Sequence, residues 1–214
     1  MLMKDPKEKA KKLPDFSFEQ IYWDKGYKFV AGADEVGRGA FAGPVVAAAV
    51  VFPWKIRPEV EINDSKRLSL RQRLTAARWI KGNAAFYGIA AVGSGLINRY
   101  GIVPATRQAI AKACDLIKCK IDHVLVDGKY RVGELPIAQT PIIKGDQLSM
   151  SIAAASILAK VYRDDLMCAL ATKEAYSMYG WERNAGYGTR HHCEAIKKYG
   201  SCKLHRRLFI RKYL

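Results

Sequence analysis

One stretch of the sequence constrains the fold more than any other: eight consecutive apolar residues, VVAAAVVF, at positions 45–52. A half-exposed strand alternates apolar and polar side chains, whereas this run is apolar on both faces and indicates a central strand covered on both sides. Pro53 and Pro58 follow and end it. The run is far shorter than the roughly 20 residues of a membrane-spanning helix. The chain is therefore expected to fold around a sheet.

The segments on either side of this run carry the periodicities of strands and helices. Apolar runs predict further strands at residues 28–34, 84–92 and 123–127. Amphipathic or small-residue patterns predict helices at residues 69–81, 104–118, 149–170 and 190–199. The order of these elements predicts an α/β or α+β fold, with a sheet flanked by helices and a helical C-terminal part.

The 214 residues suit one large domain or one domain with an appended tail. Residues 1–15 are expected to form a flexible basic lead, residues 16–180 the main domain, and residues 181–214 a basic helical segment. The lead is rich in lysine but has no apolar stretch behind it, so it does not read as a secretion signal. The protein is expected to be cytoplasmic and monomeric, with no membrane association.

Five cysteines are scattered along the chain, at positions 114, 119, 168, 193 and 202. An odd, unpaired set without a secretion signal predicts free buried thiols and no disulfide framework. A zinc site can be imagined from the C-terminal histidines and cysteines, but no paired CxxC-type spacing supports one.

The charge of the chain suggests a polyanionic partner. Lysine and arginine outnumber aspartate and glutamate by 36 to 20, which gives a net charge of +16. Residues 183–214 contain nine basic residues and one acidic residue, with aromatic residues interleaved. Such a pattern is typical of nucleic-acid binding, because cations neutralise phosphates and rings stack on bases or sugars. A merely solvated basic tail has the same composition, and charge alone never implies catalysis.

Carboxylates stand where predicted strands end. Asp34 and Glu35 follow one strand, Asp127 ends another, and Asp146 comes just before the long helix at 149–170. Acids gathered at the ends of buried strands repel one another, and a hard divalent cation relieves the repulsion. Two such ions can activate water and stabilise the leaving oxygen of a phosphodiester. Each acid also has an ordinary reading, as a turn residue or, for Asp146, as a helix cap.

Longer motifs around these acids resemble those of the ribonuclease HII family, the type 2 ribonucleases H. The segments are AGADEVGRGAFAGPVVAAAVV at 31–51, DSKRLS at 64–69, VLVDGKY at 124–130, KGDQLSMSIAAASILAKVYRD at 144–164 and GYGTRHHCEAIKKYG at 186–200. The resemblance extends from about residue 16 to residue 207. It implies an RNase H-like mixed sheet flanked by helices, with a helical C-terminal segment that contributes to substrate binding.

The resemblance also implies an activity and a site. The activity is hydrolysis of the RNA strand of RNA–DNA hybrids and cleavage 5′ of single ribonucleotides in duplex DNA, with roles in primer removal and ribonucleotide excision repair. Asp34, Glu35, Asp127 and Asp146 match the four acids that hold two Mn²⁺ or Mg²⁺ ions. The loop Gly37, Arg38 and Gly39 matches the one that reads the ribose 2′-OH and the scissile phosphate, and Tyr187 matches the tyrosine at the sugar of the RNA-to-DNA junction.

Two lysines, Lys66 and Lys144, are further candidates for phosphate contacts, although either can be an ordinary solvated side chain. Two other functions stay open from the sequence. A non-catalytic nucleic-acid-binding protein predicts salt-sensitive binding without metal-dependent cleavage. Another RNase H-like nuclease, acting on branched DNA, predicts indifference to the 2′-OH.

Overall fold

A five-stranded sheet lies at the centre of the computed structural model, which describes residues 13–133 and 135–214. The strands are β1 (Val30–Val36), β2 (Val45–Val51), β3 (Phe86–Val92), β4 (His123–Asp127) and β5 (Gln139–Ile142). Their order across the sheet is β3-β2-β1-β4-β5. β2 runs antiparallel to β1 and β3, whereas β1, β4 and β5 run parallel to one another. The mixed α/β sheet expected from the sequence is confirmed.

Helices cover both faces of the sheet and form the C-terminal part. They are α1 (Ser17–Trp23), α2 (Leu70–Asn83), α3 (Ser94–Tyr100), α4 (Ile102–Asp115), α5 (Met150–Ala171), α6 (Trp181–Asn184), α7 (Arg190–Tyr199) and α8 (Arg207–Ile210). Short 3₁₀ helices occupy Gly145–Gln147, Glu174–Tyr179 and Arg211–Tyr213. Side chains cap three of the longer helices: Ser69 starts α2, Ser149 starts α5 and Thr189 starts α7.

The all-apolar run at 45–52 forms the middle of the core, as its pattern predicted. Every residue of β2 is buried. Alternate side chains face α4 on one side of the sheet, and the others face α2 and α5 on the opposite side. α5 lies so close to β1 that a Cβ atom at Gly32 would come within 2.3 Å of the backbone nitrogen of Ile152. A glycine in β1 and the small residues of α5 permit this close approach.

The first strand is displaced from its predicted position. The sequence predicted residues 28–34, whereas β1 begins at Val30 and continues to Val36, because pairing with β2 extends to the Val36–Val46 pair. Asp34 and Glu35 therefore lie inside the strand and not after it. Several elements that were not predicted also form, among them α1, α3 and the edge strand β5.

Residues at the expected boundaries, 15 and 181, contact the rest of the chain, and the division into three parts stays a prediction. Residues 1–12 of the predicted flexible lead lie outside the described residues. Asp15 belongs to the packed structure, because its backbone pairs with that of Leu148 and Met150. Trp181 is buried with Met167 of α5, so the C-terminal segment shares a core with the rest of the chain. In the described part of the chain, no helix is long and apolar enough to cross a membrane.

Candidate active site

Parallel strands bring the predicted acids to one edge of the sheet. The register of β1 and β4 pairs Ala33 with Val126, so the next residues, Asp34 and Asp127, follow side by side. Asp146 lies in the 3₁₀ turn after β5. The backbone N–H of Gly145 donates to Asp127 Oδ1 at 2.7 Å and holds this turn against β4. Asp146 is not the cap of α5, because Ser149 takes that position.

A cavity of about 290 Å³ opens between these acids and the C-terminal segment. Nine of the ten residues singled out from the sequence line it: Asp34, Glu35, Gly37, Arg38, Gly39, Lys66, Asp127, Asp146 and Tyr187. Lys144 does not. It is exposed, in a left-handed backbone conformation, outside the cavity wall.

Four carboxylates, here called the acidic cluster, lie close together at a cost in free energy. They are Asp34, Glu35, Asp127 and Asp146. Burial raises the pKa of Asp34 well above its usual value, and repulsion from Glu35 and Asp127 adds to this. Burial and then Asp127 raise the pKa of Asp146 to about 6. The pKa of Glu35 is also raised, chiefly by burial. Removal from water and like charge both oppose ionisation here, which is the condition that a bound cation relieves.

Asp34 and Glu35 each contact a side chain of the protein. Successive side chains of a strand point to opposite faces, so Asp34 turns toward Ser156 of α5 while Glu35 turns the other way. Arg38 Nη1 donates to Glu35 Oε1 at 3.1 Å. In the described part of the chain, no three Asp, Glu, His or Cys side chains stand together in an arrangement that could already hold a metal ion. The oxygen donors are of the type that Mg²⁺ and Mn²⁺ prefer.

Two buried arginines fix the glycine loop, residues 37–39, against the cavity. Arg206 Nη1 donates to the carbonyls of Gly37 at 2.7 Å and Arg38 at 2.8 Å. Arg163 Nε donates to the carbonyl of Pro44 at 2.9 Å, just after the loop. Gly37 has φ +88°, and a Cβ there would lie 2.1 Å from Arg163 Nε. Only glycine satisfies both the backbone conformation and the close contact.

Tyr187 reaches the cavity from a buried group that we call the histidine cluster: Trp181, His192, Cys202 and His205. His192 Nδ1 donates to the Tyr187 carbonyl at 2.9 Å, which leaves His192 Nε2 as an acceptor. Trp181 Nε1 and His205 Nε2 both lie 3.1 Å from that atom.

His205 Nδ1 in turn accepts from the Cys202 backbone N–H at 3.0 Å. Every ring nitrogen of the cluster thus has a partner, with both imidazoles neutral.

Three comparisons with known proteins bear on this arrangement. The family model described as Ribonuclease HII matches residues 31–212. The ribonuclease HII of Caldanaerobacter subterraneus subsp. tengcongensis is 46% identical over 197 residues, which are 92% of this chain and 80% of that protein. The chain belongs to the ribonuclease HII family. It is therefore a hydrolytic nuclease.

Solved structures agree with the fold of this ribonuclease HII family member. The ribonuclease H2 from Pyrococcus horikoshii OT3 has a TM-score of 0.73 at 25% identity, over 86% of this chain and 96% of that one. Bst-RNase HIII in complex with Mn²⁺ has a TM-score of 0.66 at 17% identity, over 87% of this chain and 69% of that one. The likeness to Bst-RNase HIII shows a shared fold.

Sequence reasoning missed several residues of this family member's site. Ser65 and Ser156 line the cavity and lie 3.0 Å apart, Oγ to Oγ. Asp64 is buried close enough to Asp146 to raise its pKa. Arg163 and Arg206 were not assigned a role, because a buried arginine looks like any surface charge in a sequence. For Arg163, the one available signal was its position within the family-like segment at 144–164.

Proposed function

We propose that the protein is an endoribonuclease that hydrolyses the RNA strand of RNA–DNA hybrids and cuts on the 5′ side of single ribonucleotides embedded in duplex DNA. The observation that carries this proposal is one cavity lined both by four acids and by the glycine loop with Tyr187. The acids supply the means of cleaving a phosphodiester, and the loop supplies the means of recognising a ribose. Products with 5′-phosphate and 3′-OH ends are expected.

The acidic cluster is proposed to hold two Mn²⁺ or Mg²⁺ ions. The match between hard oxygen donors and hard cations supports this, together with the raised pKa values that a cation would relieve. When bound, the ions lower the pKa of the attacking water and stabilise charge on the departing 3′-oxygen. The presence of Mn²⁺ in Bst-RNase HIII, which shares the fold, is consistent with the proposal.

The remaining residues of the cavity bind and orient the substrate. The main chain at Gly37 and Gly39 can approach a 2′-OH closely because no side chain intervenes, and the 2′-OH is the group that distinguishes RNA from DNA. Arg38 is proposed to leave Glu35 and pair with the scissile phosphate. Tyr187 is proposed to pack on the sugar at the junction, and Lys66 to contact a phosphate. The role proposed for Lys144 is a phosphate contact outside the cavity.

The proposed activity also suggests what the protein does in the cell. Substrates of this kind arise from RNA primers and from misincorporated ribonucleotides, so primer removal and ribonucleotide excision repair are the proposed roles. The five cysteines are all free thiols, but only Cys114 is buried, so the expected burial was wrong for the other four. Free thiols are in keeping with work in the cytoplasm. The basic C-terminal segment is proposed to add affinity for the duplex, and the protein is proposed to act as a monomer.

The decisive experiment compares matched substrates with and without Mn²⁺. One duplex contains a single ribonucleotide, the second is all DNA with the same sequence, and the third is an all-DNA four-way junction. We expect Mn²⁺-dependent cleavage of the first duplex alone, immediately 5′ of the ribonucleotide. Cleavage of the junction would point to a resolvase. Salt-sensitive binding of all three without cleavage would point to a binding protein.

A further inference from the structure

A second cavity, of about 350 Å³, adjoins the acid-lined one on the opposite face of the sheet edge. Its walls are the first turns of α4 and the loop after β4, residues 128–132. The apolar side chains of Val103, Ile110, Val126 and Val132 line part of it. The volume falls in the range of about 300–1,000 Å³ that small-ligand sites occupy.

The cavity is basic, and most of its cations have no carboxylate partner among the described residues. Arg107 on α4 and Lys129 and Arg131 on the loop line it, and each is exposed. None of the three forms an ion pair with a carboxylate in the described part of the chain. With Arg38, four basic residues face two acidic ones, Glu35 and Asp127. We call this site the basic cavity.

An exposed aromatic ring stands among these cations. Tyr130 lies between Lys129 and Arg131 in the sequence, lines the basic cavity and is 78% exposed. A large ring kept in water beside unpaired cations is poorly explained by packing, since burial of such a ring is favourable. Cations alternating with an aromatic ring are a pattern that contacts phosphates and stacks on bases or sugars. The hydroxyl of Thr106, also in the wall, is buried and has no hydrogen-bond partner within residues 13–133 and 135–214.

The basic cavity is continuous with the proposed site of cleavage. Glu35, Arg38 and Asp127 line both cavities. A strand whose scissile phosphate lies at the acidic cluster can therefore pass Glu35 and Arg38 and enter the basic cavity without leaving the protein surface. The repulsion that Glu35 and Asp127 would exert on a phosphate falls when those carboxylates hold cations.

We propose that the basic cavity binds a sugar–phosphate unit of the cleaved strand, within a few nucleotides of the scissile phosphate. Arg107 and Arg131 contact the phosphate, and Tyr130 packs on the adjoining sugar or base. The inference deepens the proposed function, because it places a second contact on the same substrate strand.

The test asks whether removing a positive charge from the protein and removing a phosphate charge from the substrate have additive effects on binding. Neutral methylphosphonates replace single phosphates, one position at a time, along both strands of the single-ribonucleotide duplex. KM, kcat and the Kd without divalent metal are measured for the wild type and for the double variant Arg107→Ala/Arg131→Ala. The matched control is Lys112→Ala/Lys118→Ala, which removes two exposed charges from the same helix and the turn that follows it.

We expect the double variant to raise Kd and KM about tenfold with kcat within about twofold, and to reduce the salt dependence of log Kd by about one. At one position of the cleaved strand, a methylphosphonate should weaken the wild type about three- to tenfold and leave the variant unaffected. Such non-additivity identifies direct contact, which a merely structural effect of the two substitutions would not produce. The control variant should keep the wild-type profile.

Identical methylphosphonate profiles for the double variant and the wild type would overturn the proposal, as would coupling found on the complementary strand alone. The two readouts also separate this inference from the proposed function. A wild type that binds the duplex without cutting it would refute the nuclease assignment for this substrate, while the Kd profile would still decide the basic cavity.

Discussion

The acidic cluster and the histidine cluster both contain buried titratable side chains. Hydrogen bonds complete the histidine cluster, whereas repulsion between like charges remains in the acidic cluster despite the hydrogen bonds to Glu35 and Asp127. In the histidine cluster, each ring nitrogen of His192 and His205 has a partner, and the pKa of each imidazole is lowered so that both stay neutral. In the acidic cluster, carboxylates lie close to one another, and the pKa values of Asp34, Glu35 and Asp146 are raised. A network in which every polar group has a hydrogen-bond partner stabilises the fold, whereas a cluster of mutually repelling carboxylates is stabilised by binding a cation.

The largest expected difference between the clusters is in activity. Asp34→Asn and Asp127→Asn should each lower kcat/KM on the single-ribonucleotide duplex about a thousandfold, because each removes a proposed cation ligand. Neither should lower the melting temperature of the metal-free protein, since loss of one charge relieves repulsion. The exposed Asp165→Asn on α5 serves as the control and should cut normally. Wild-type cleavage by either site variant would refute the metal assignment.

The second difference is in stability. His192→Ala and His205→Ala should each lower the free energy of unfolding by about 2–4 kcal/mol, because a cavity forms and buried donors lose their partners. The neighbouring His191 is exposed, and His191→Ala should change stability by less than about 0.5 kcal/mol. Urea titration followed by circular dichroism measures all three. If His191→Ala and His205→Ala changed the free energy of unfolding equally, the histidine cluster would make no contribution of its own to stability.

The third difference is in the response to a divalent cation. At about 100 times its dissociation constant, Mn²⁺ should stabilise the wild type by roughly 2.7 kcal/mol, since it binds only the folded chain. Asp34→Asn should abolish this shift. His205→Gln should melt at a lower temperature yet keep the shift. Differential scanning calorimetry with and without Mn²⁺ measures it, and a shift retained in Asp34→Asn would place the cation elsewhere.

The smallest expected difference is in the direction in which acidification changes the free energy of unfolding. The pKa of His205 is lowered to about 4, so acidification from pH 7 to 5 favours the unfolded chain, which takes up the proton more readily. The pKa of Asp146 is raised to about 6, so the same acidification favours the folded chain. Relative to the wild type, His205→Gln should lose less stability over this range and Asp146→Asn should lose more, each by about 1–2 kcal/mol.

Unfolding in urea at several pH values measures these slopes. A change in the same direction for both variants would contradict the contrast between the two clusters.

Much of the fold was readable from the sequence because it depends on local pattern. The β2 run, the HVLVD strand and the helix α7 lie where they were predicted. The strand β5 was missed because its sequence, QTPI, contains a proline and lacks a clear apolar pattern. It forms as an edge strand paired with β4, a position that tolerates proline. Tertiary pairing, and not local preference, decides such an element.

The candidate site divides in the same way. The four acids stand out from the sequence because carboxylates near buried strands are unusual. Their convergence depends on strand register, which spacing along the chain does not contain. The difference between the histidine cluster and a zinc site was equally hidden, since the same residue types serve both. Hydrogen-bond partners separate the two, and these require coordinates.

The contact between Arg206 and the glycine loop has a consequence for the order in which the protein folds. The two residues that meet, Gly37 and Arg206, are 169 positions apart in the chain. Contacts of such long range form late, because the intervening chain must first be ordered. A folding intermediate with its sheet complete can therefore hold the acids in place before the glycine loop, which is proposed to recognise the ribose, is ordered. We expect nuclease specificity to be among the last properties that the maturing molecule acquires.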